Sequence, residues 1–303
     1  MILLFHLVFP DTTPKDAWNA GLILRLSDFK RQCLWIKKRY QFVSLSEYLD
    51  GLGQDQNYSR AHFSLTFDDG YSQVFDLISP FLLEQQIPAT FFSTTSHLED
   101  GELLWFVYFN ALCSEKVYQT IEFENASYPL TSYKSSIIAW QKLVDSARIS
   151  AHPIEFAREF AKKYPLPKEV IKKYQGITET QMALIGKSVL FELGGHTHSH
   201  PYLDQISKSE QFQQMRTNRQ ILEQTSNKKV RFFAYTGGIY NMASVEAAKN
   251  TGFEAAFAIK PRNLSSDWLY EIPRVDIYSA SLVKFKIKAL GFEKAARFII
   301  RKG

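Results

Sequence analysis

Residues 62–70 read His-Phe-Ser-Leu-Thr-Phe-Asp-Asp-Gly, and this stretch decides how the rest of the chain is interpreted. Its first six residues are alternating, β-branched or aromatic in character, which predicts a short buried strand. Because successive side chains of a strand point to opposite faces, Asp68 and Asp69 cannot share one role unless the chain turns, and Gly70 permits a turn. An Asx-type turn and an active site both explain these residues, so the stretch alone leaves both interpretations open.

A second stretch, residues 189–203, favours the active site. It reads Val-Leu-Phe-Glu-Leu-Gly-Gly-His-Thr-His-Ser-His-Pro-Tyr-Leu, again an apolar run that ends in glycine and polar residues. His196 and His200 are four apart, so one helical turn would bring both imidazoles to one face. Two His and one carboxylate suit zinc or a similar divalent ion and leave positions open for water and substrate. Three of the seven His of the chain fall within five residues, which a polar loop explains poorly, so we predict a metal site here.

These two stretches resemble a known family. Residues 66–70, Thr-Phe-Asp-Asp-Gly, resemble the first motif of the polysaccharide deacetylases (NodB homology, carbohydrate esterase family four). Residues 196–201, His-Thr-His-Ser-His-Pro, resemble the second motif, His-Ser/Thr-x-x-His. By our reading, the resemblance covers residues 1–95 and 176–278.

The resemblance implies a set of site residues. A divalent ion would be held by Asp69, His196 and His200, with zinc as the expected metal and cobalt, nickel or manganese as alternatives. Asp68 would take the proton of the attacking water. The metal and a backbone N–H would stabilise the tetrahedral oxyanion.

Seven predicted strands alternate with helices, which implies parallel pairing with right-handed crossovers. The predicted strands are residues 2–6, 62–67, 89–93, 189–193, 230–235, 255–259 and 271–277. This count resembles the fold of the family, so we predict the α/β class and an irregular (β/α)7 barrel of the NodB type with a helical insertion. Residues 1–95 and 176–281 are assigned to the barrel, and both motifs then lie at C-terminal strand ends, where such barrels carry active sites.

Residues 96–175 do not fit the alternation of strands and helices. They contain an aromatic stretch at residues 105–109, a helical run from Ser135 to Tyr164, and a second, basic helix. Insertions of this length between barrel strands are usually functional. We predict a helical cap beside the active site that shapes substrate choice; a packing role is the alternative.

The third motif departs from the family. Most members carry an Arg-x-Pro-Tyr type of stretch, whereas residues 233–238 read Phe-Ala-Tyr-Thr-Gly-Gly, with Ala234 at the Arg position. Arg274, on the last predicted strand, resembles a position that could supply the charge that orients Asp68. The backbone N–H of Gly237 could still donate to an oxyanion, because no side chain is needed for that.

The general acid is a second departure. The family carries a Leu-x-His motif on its last strand, but no His follows His200 in this chain. His6 ends the first predicted strand, which neighbours the last strand in a closed barrel, and it could therefore protonate the leaving amine. Asp68 returning its proton is the second candidate, and a structural role for His6 in the core is the alternative.

The predicted activity is metal-dependent hydrolysis of an N-acetyl group from an amino sugar. The carbohydrate substrate implied by the resemblance is a polysaccharide, an oligosaccharide or a glycolipid, such as a glycan of the cell envelope. Two alternatives stay open: a deformylase or other amide hydrolase on the same scaffold, and a non-catalytic glycan-binding relative.

Composition bounds the cellular location. A hydrophobic content of 45% and a charged content of 22% are typical of a soluble globular protein. Cys33 and Cys113 are too few for a disulfide framework, which favours a reducing compartment. Residues 1–9 are apolar, but no basic residue precedes them and His6 interrupts them, so we expect a buried strand rather than a signal peptide. The expected location is cytoplasmic.

The end of the chain is basic. Residues 282–303 hold seven Lys and Arg against Glu293 alone, a net charge of +6, and their apolar residues recur at spacings of three and four. This pattern predicts a basic amphipathic helix that could contact the inner face of an anionic membrane peripherally. Packing on the barrel is the alternative, and no nucleic acid partner is expected because no recognition motif accompanies the charge.

Overall fold

A parallel sheet curls into a nearly closed barrel in the computed structural model, which describes residues 1–13, 24–52, 62–150 and 152–291. The strands, numbered in chain order, are β1 (Ile2–Phe5), β2 (Val8–Phe9), β3 (Leu24–Arg25), β4 (Gln41–Phe42), β5 (His62–Phe67), β6 (Ala89–Ser93), β7 (Thr120–Phe123), β8 (Ala126–Pro129), β9 (Phe191–Gly195), β10 (Phe232–Ala234), β11 (Ala255–Ala258), β12 (Ile272–Pro273) and β13 (Val275–Asp276). Paired neighbours follow in the order β12, β11, β10, β9, β6, β5, β1 and β13, and every pair is parallel. The prediction of a (β/α) barrel is confirmed.

The last barrel strand differs from the prediction. In place of one strand over residues 271–277, two short strands fill the seventh position: β12 pairs with β11, and β13 pairs with β1 at the other edge of the sheet. Pro273 has no N–H with which to continue a ladder. Arg274 lies where the chain changes partner, so its side chain enters the barrel at the seam.

The strand predicted at residues 189–193 is displaced toward the C-terminus. β9 begins at Phe191, because the hydroxyl of Ser188 accepts hydrogen bonds from the backbone N–H groups of Leu190 and Phe191 and makes a turn after the preceding helix. The displacement carries the end of the strand to Gly195, directly before His196. The first residue of the second motif therefore lies at the carboxyl end of a barrel strand.

Helices cover the outer surface of the barrel and form most of the insertion. In chain order they are α1 (Leu26–Lys37), α2 (Leu45–Leu52), α3 (Ser72–Glu84), α4 (His97–Asp100), α5 (Trp105–Ser114), α6 (Tyr133–Ile149), α7 (Pro153–Lys163), α8 (Lys168–Tyr174), α9 (Glu179–Lys187), α10 (Lys208–Ser226), α11 (Met242–Thr251) and α12 (Leu282–Ala289). Three short 3-10 helices complete the set: Leu203–Gln205, Thr236–Gly238 and Trp268–Tyr270.

The chain between β6 and β9 holds six of these helices and a hairpin. The predicted helical run from Ser135 to Tyr164 is two helices, because Pro153 starts α7, a position that needs no backbone N–H. Strands β7 and β8 pair antiparallel around Glu124 and Asn125, whose φ angles are 48° and 59°. Two successive positive φ angles suit a tight hairpin turn. The sequence analysis missed this hairpin.

Aromatic rings on the outside of the sheet fix which side chains face inward. Phe5, Phe67 and Phe91 lie side by side on β1, β5 and β6, with ring centroids 5.5 and 5.3 Å apart. Phe29 of α1 packs against Phe67, so this layer faces the surrounding helices. Because side chains alternate along a strand, the residue after Phe67 points to the barrel interior. That residue is Asp68.

The described part of the basic C-terminal segment packs on the barrel. Phe285 and Ala289 of α12 are buried, and Phe285 meets the ring of Trp35 at 6.1 Å. Residues 292–303 lie outside the described residues, so membrane contact through residues 282–303 stays a prediction. Among the described helices, none combines the length and the apolar composition needed to cross a bilayer.

Candidate metal centre and active site

Two neighbouring carboxylates leave the end of β5 in different directions. Asp69 adopts a φ of 70° and Gly70 a φ of 68°, so the chain turns directly after the strand. A Cβ on Gly70 would collide with the side chain of Ser93, so only glycine fits this turn. As a result, Asp68 faces Arg274, whereas Asp69 faces the second motif.

Three side chains form a buried group that suits a divalent metal. Oδ1 of Asp69 lies 3.4 Å from Nε2 of His196 and 3.4 Å from Nε2 of His200, and all three side chains are buried. The three ligand atoms lie within 4.8 Å of one another. A tetrahedral zinc site with bonds near 2.1 Å separates its ligand atoms by about 3.4 Å. The donor set and its spacing therefore fit zinc or a metal of similar size.

A backbone contact sets which ring nitrogen of His196 carries the proton. Its Nδ1 lies 2.8 Å from the carbonyl oxygen of Ala234, which can only accept, so Nδ1 carries the proton. Nε2 then keeps its lone pair and points toward Asp69. The Ala234 carbonyl thus has a role at the position where most family members carry Arg.

The loop between the two His is not the helical turn that their spacing suggested. Thr197 and His200 have φ angles of 62° and 59°, in the left-handed region. The Thr197 hydroxyl accepts a hydrogen bond from the N–H of His200 at 3.1 Å and donates to the carbonyl oxygen of His196 at 2.6 Å. This turn brings the two imidazole rings to a centroid distance of 5.1 Å. His198 points elsewhere, with Nδ1 3.0 Å from the hydroxyl of Thr95.

Two aromatic residues of the insertion contact His200. Nε1 of Trp105, at the start of α5, donates to the carbonyl oxygen of His200 at 3.0 Å. The ring of Phe106 packs against the His200 imidazole with a centroid distance of 4.6 Å. Sequence reasoning noted the aromatic stretch at residues 105–109 but gave it no contact with the metal motif. Its only signal was the density of aromatic residues.

Arg274 makes a bidentate ion pair with Asp68 inside the barrel. Its two terminal nitrogens each lie 2.6 Å from one carboxylate oxygen, and both side chains are almost fully buried. One of these nitrogens also donates to the hydroxyl of Thr66 at 3.2 Å. The structure therefore places Arg274 where it can orient Asp68, although the Arg of the third motif is missing.

Both carboxylates are ionised at neutral pH. Burial alone would raise the pKa of Asp68, but the Arg274 guanidinium holds that pKa below its usual value. Burial opposes ionisation of Asp69 as well, and the adjacent imidazoles of His196 and His200 hold its pKa well below the usual value. Two ionised carboxylates therefore lie side by side at the end of β5.

The remaining predicted residues line the same pocket. His6 stacks on Tyr278 at a centroid distance of 5.7 Å, and its buried Nδ1 has no hydrogen-bond partner among the described residues. Gly237 also lines this pocket, with a φ of 59° in a short 3-10 helix. Tyr71, which the sequence analysis missed, follows Gly70 directly; burial and the nearby Asp69 raise its pKa well above the usual value, so its hydroxyl stays protonated.

Barrel and insertion share the walls of this pocket, whose volume is about 250 Å³. The barrel contributes the two carboxylates and the imidazoles that could hold a metal. The insertion contributes five residues of α5 and α6: Trp105, Phe106, Asn110, Trp140 and Val144.

Comparison with known proteins agrees with this geometry. The family model for polysaccharide deacetylases matches residues 55–148 and 162–256. No curated protein matches the chain by sequence.

Several solved structures share the fold. A deacetylase of Streptococcus pyogenes, PplD, solved in complex with acetate, has a TM-score of 0.63 at 18% identity and covers 95% of this chain and 96% of its own. IcaB of Ammonifex degensii has a TM-score of 0.59 at 16% identity, with coverage of 95% and 96%. A de-N-acetylase of Aggregatibacter actinomycetemcomitans has a TM-score of 0.55 at 16% identity, with coverage of 94% and 98%. At these identities the likeness concerns the fold.

Proposed function

The chain belongs to the polysaccharide deacetylase family, hydrolases of carbon–nitrogen bonds, and we propose that it uses a divalent metal to remove N-acetyl groups from an amino sugar. The observation that carries the proposal is the buried group of Asp69, His196 and His200, with Asp68 directly beside it. A ligand set of two imidazoles and one carboxylate leaves coordination positions open, as catalytic sites require.

The side chains around this group divide the work of amide hydrolysis. A divalent ion held by Asp69, His196 and His200 would supply Lewis acidity. Asp68, held ionised and oriented by Arg274, accepts the proton of the attacking water. The backbone N–H of Gly237 donates to the oxyanion, and His6 gives a proton to the amine that leaves.

We expect removal of the metal to abolish acetate release. After chelation, turnover on N-acetylated amino-sugar oligomers should fall by about 100-fold or more, because Lewis-acid assistance is lost. Re-addition of zinc, cobalt, nickel or manganese one at a time should restore it and identify the most active ion. Metal content and acetate are both measured.

The same experiment separates the alternatives. Bound metal without acetate release would indicate another amide bond, such as a formamide. No bound metal at all would favour a glycan-binding protein without catalysis.

The role of His6 can be tested by the pH dependence of turnover. If His6 protonates the leaving amine, His6→Gln should lose the alkaline limb of the pH–rate profile and keep its metal. His152→Gln is the matched control, since His152 is exposed and lies outside the catalytic pocket. An unchanged profile for His6→Gln would leave Asp68 to return the proton itself.

Two further expectations from the sequence enter this proposal. Cys33 and Cys113 are both buried and unpaired, which supports a reducing, cytoplasmic location. The substrate class follows from the family, and the sugar itself is the subject of the next proposal.

A further inference from the structure

We propose that the insertion builds a subsite for a neutral N-acetylhexosamine ring, in which Trp140 and Asn110 hydrogen-bond the sugar. This inference rests on the proposed function, because it names how the same pocket reads its substrate. It goes beyond the metal site, since neither residue belongs to the proposed ligand set of the metal.

The first observation is an unused hydrogen-bond donor. Trp140, on α6, lines the catalytic pocket, and its Nε1 is buried without an acceptor among the described residues. A buried donor left unpaired costs about 1–3 kcal/mol, so such groups usually have a partner. Trp105 in the same wall shows the contrast, because its Nε1 already donates to the carbonyl of His200.

The second observation is a buried amide on the neighbouring helix. Asn110 lies in the middle of α5, only 6% exposed, and lines the same pocket. Its side chain makes no hydrogen bond within the described part of the chain. An asparagine amide both donates and accepts, so Asn110 brings polar atoms to this wall that no other described residue uses.

The third observation is the character of the wall around these groups. Trp105, Phe106 and Val144 give it an apolar surface, and none of the described residues that line the pocket is Lys or Arg. A pyranose ring has an apolar C–H face and a rim of hydroxyls. Aromatic walls with a few converging polar groups fit that pattern, and the described lining offers no Lys or Arg side chain to pair with a uronate or a phosphate on the sugar.

We assign the two groups by their chemistry. The Trp140 N–H can only donate, so it meets a ring hydroxyl or the acetyl carbonyl through an oxygen lone pair. The Asn110 amide can both donate and accept, which suits a hydroxyl. Sugar binding would thus satisfy groups that the protein itself leaves without partners.

The test replaces each group by a side chain of similar shape without the polar atoms. Trp140→Phe and Asn110→Leu are compared with Trp35→Phe, the same substitution as the first but far from the pocket, where Trp35 packs on Phe285. Binding of β-1,4- and β-1,6-linked N-acetylglucosamine tetramers is measured by calorimetry in an Asp68→Asn background, which keeps the ligand intact.

We expect about a fivefold weaker Kd for Trp140→Phe and for Asn110→Leu, and no change for Trp35→Phe. In the otherwise wild-type enzyme, hydrolysis of 4-nitrophenyl acetate should be unchanged by Trp35→Phe, the control outside the pocket. Asn110→Leu should not lower the thermal midpoint, because no hydrogen bond within the protein is lost. A residue kept for packing would give the opposite: lower stability with equal sugar binding.

Three outcomes overturn or separate the proposals. Equal Kd values in every variant, or no binding of either tetramer before Trp140 or Asn110 is changed, overturn the subsite. If the variants bind the tetramers more weakly as expected but the metal-loaded enzyme releases no acetate, the proposed function is wrong and the sugar subsite is supported.

Discussion

We expect Asp69→Ala to abolish metal binding, whereas Asp68→Asn should keep the metal and lose most turnover, because the two adjacent carboxylates have different partners. Oδ1 of Asp69 lies between the Nε2 atoms of two His, so its removal leaves only two ligands. Asp68 pairs with Arg274 instead, and its loss as a base should lower kcat by roughly 100- to 10,000-fold.

Metal content after dialysis and kcat are measured for both variants. Asp204→Asn serves as the control, because Asp204 is exposed and does not line the catalytic pocket. If Asp68→Asn lost the metal and Asp69→Ala retained it, the two roles would be reversed.

Arg274→Met should destabilise the fold by about 3–5 kcal/mol and remove most activity. The substitution leaves the Asp68 carboxylate buried without its charge partner. An uncompensated buried charge is strongly destabilising. The orienting hydrogen bonds are lost at the same time. The free energy of unfolding is measured with a chemical denaturant, together with kcat.

Two comparisons sharpen this expectation. Arg158→Met breaks a pair with Asp100 and Glu102 that is 44% exposed on the Arg side, and it should cost less than about 1 kcal/mol. The double variant Asp68→Asn with Arg274→Met should regain part of the stability but no activity, because it no longer buries a lone charge. If Arg158→Met and Arg274→Met lowered the free energy of unfolding equally, burial of the Arg274–Asp68 pair would not add to its stabilising effect.

The sequence predicted the barrel because its strands carry local signals. Polar and apolar side chains alternate up to Phe67, and charged residues follow directly. A pattern of that kind is visible in the local sequence and does not depend on distant segments. Exact strand ends were less predictable: β9 starts at Phe191 because a Ser188 hydroxyl makes a turn, and the strand around Arg274 breaks where its pairing partner changes. The first depends on a local side-chain hydrogen bond that the apolar pattern does not show, and the second depends on pairing between segments far apart in sequence.

The site divides in the same way. Asp68, Asp69, His196 and His200 could be singled out because each follows a strand whose end defines the active face. Trp140 and Asn110 could not, since their place in the pocket depends on how the insertion folds back over the barrel. A tryptophan in an amphipathic helix gives no sign in sequence of whether its N–H has a partner.

The hydrogen bond from Trp105 to His200 has a consequence for how this enzyme can change over evolution. It joins the insertion to one of the three proposed metal ligands. Under the proposed roles, exchange of this segment would alter metal affinity together with substrate choice. Adaptation to a new glycan would then act on side chains such as Trp140 while Trp105 keeps its contact with His200.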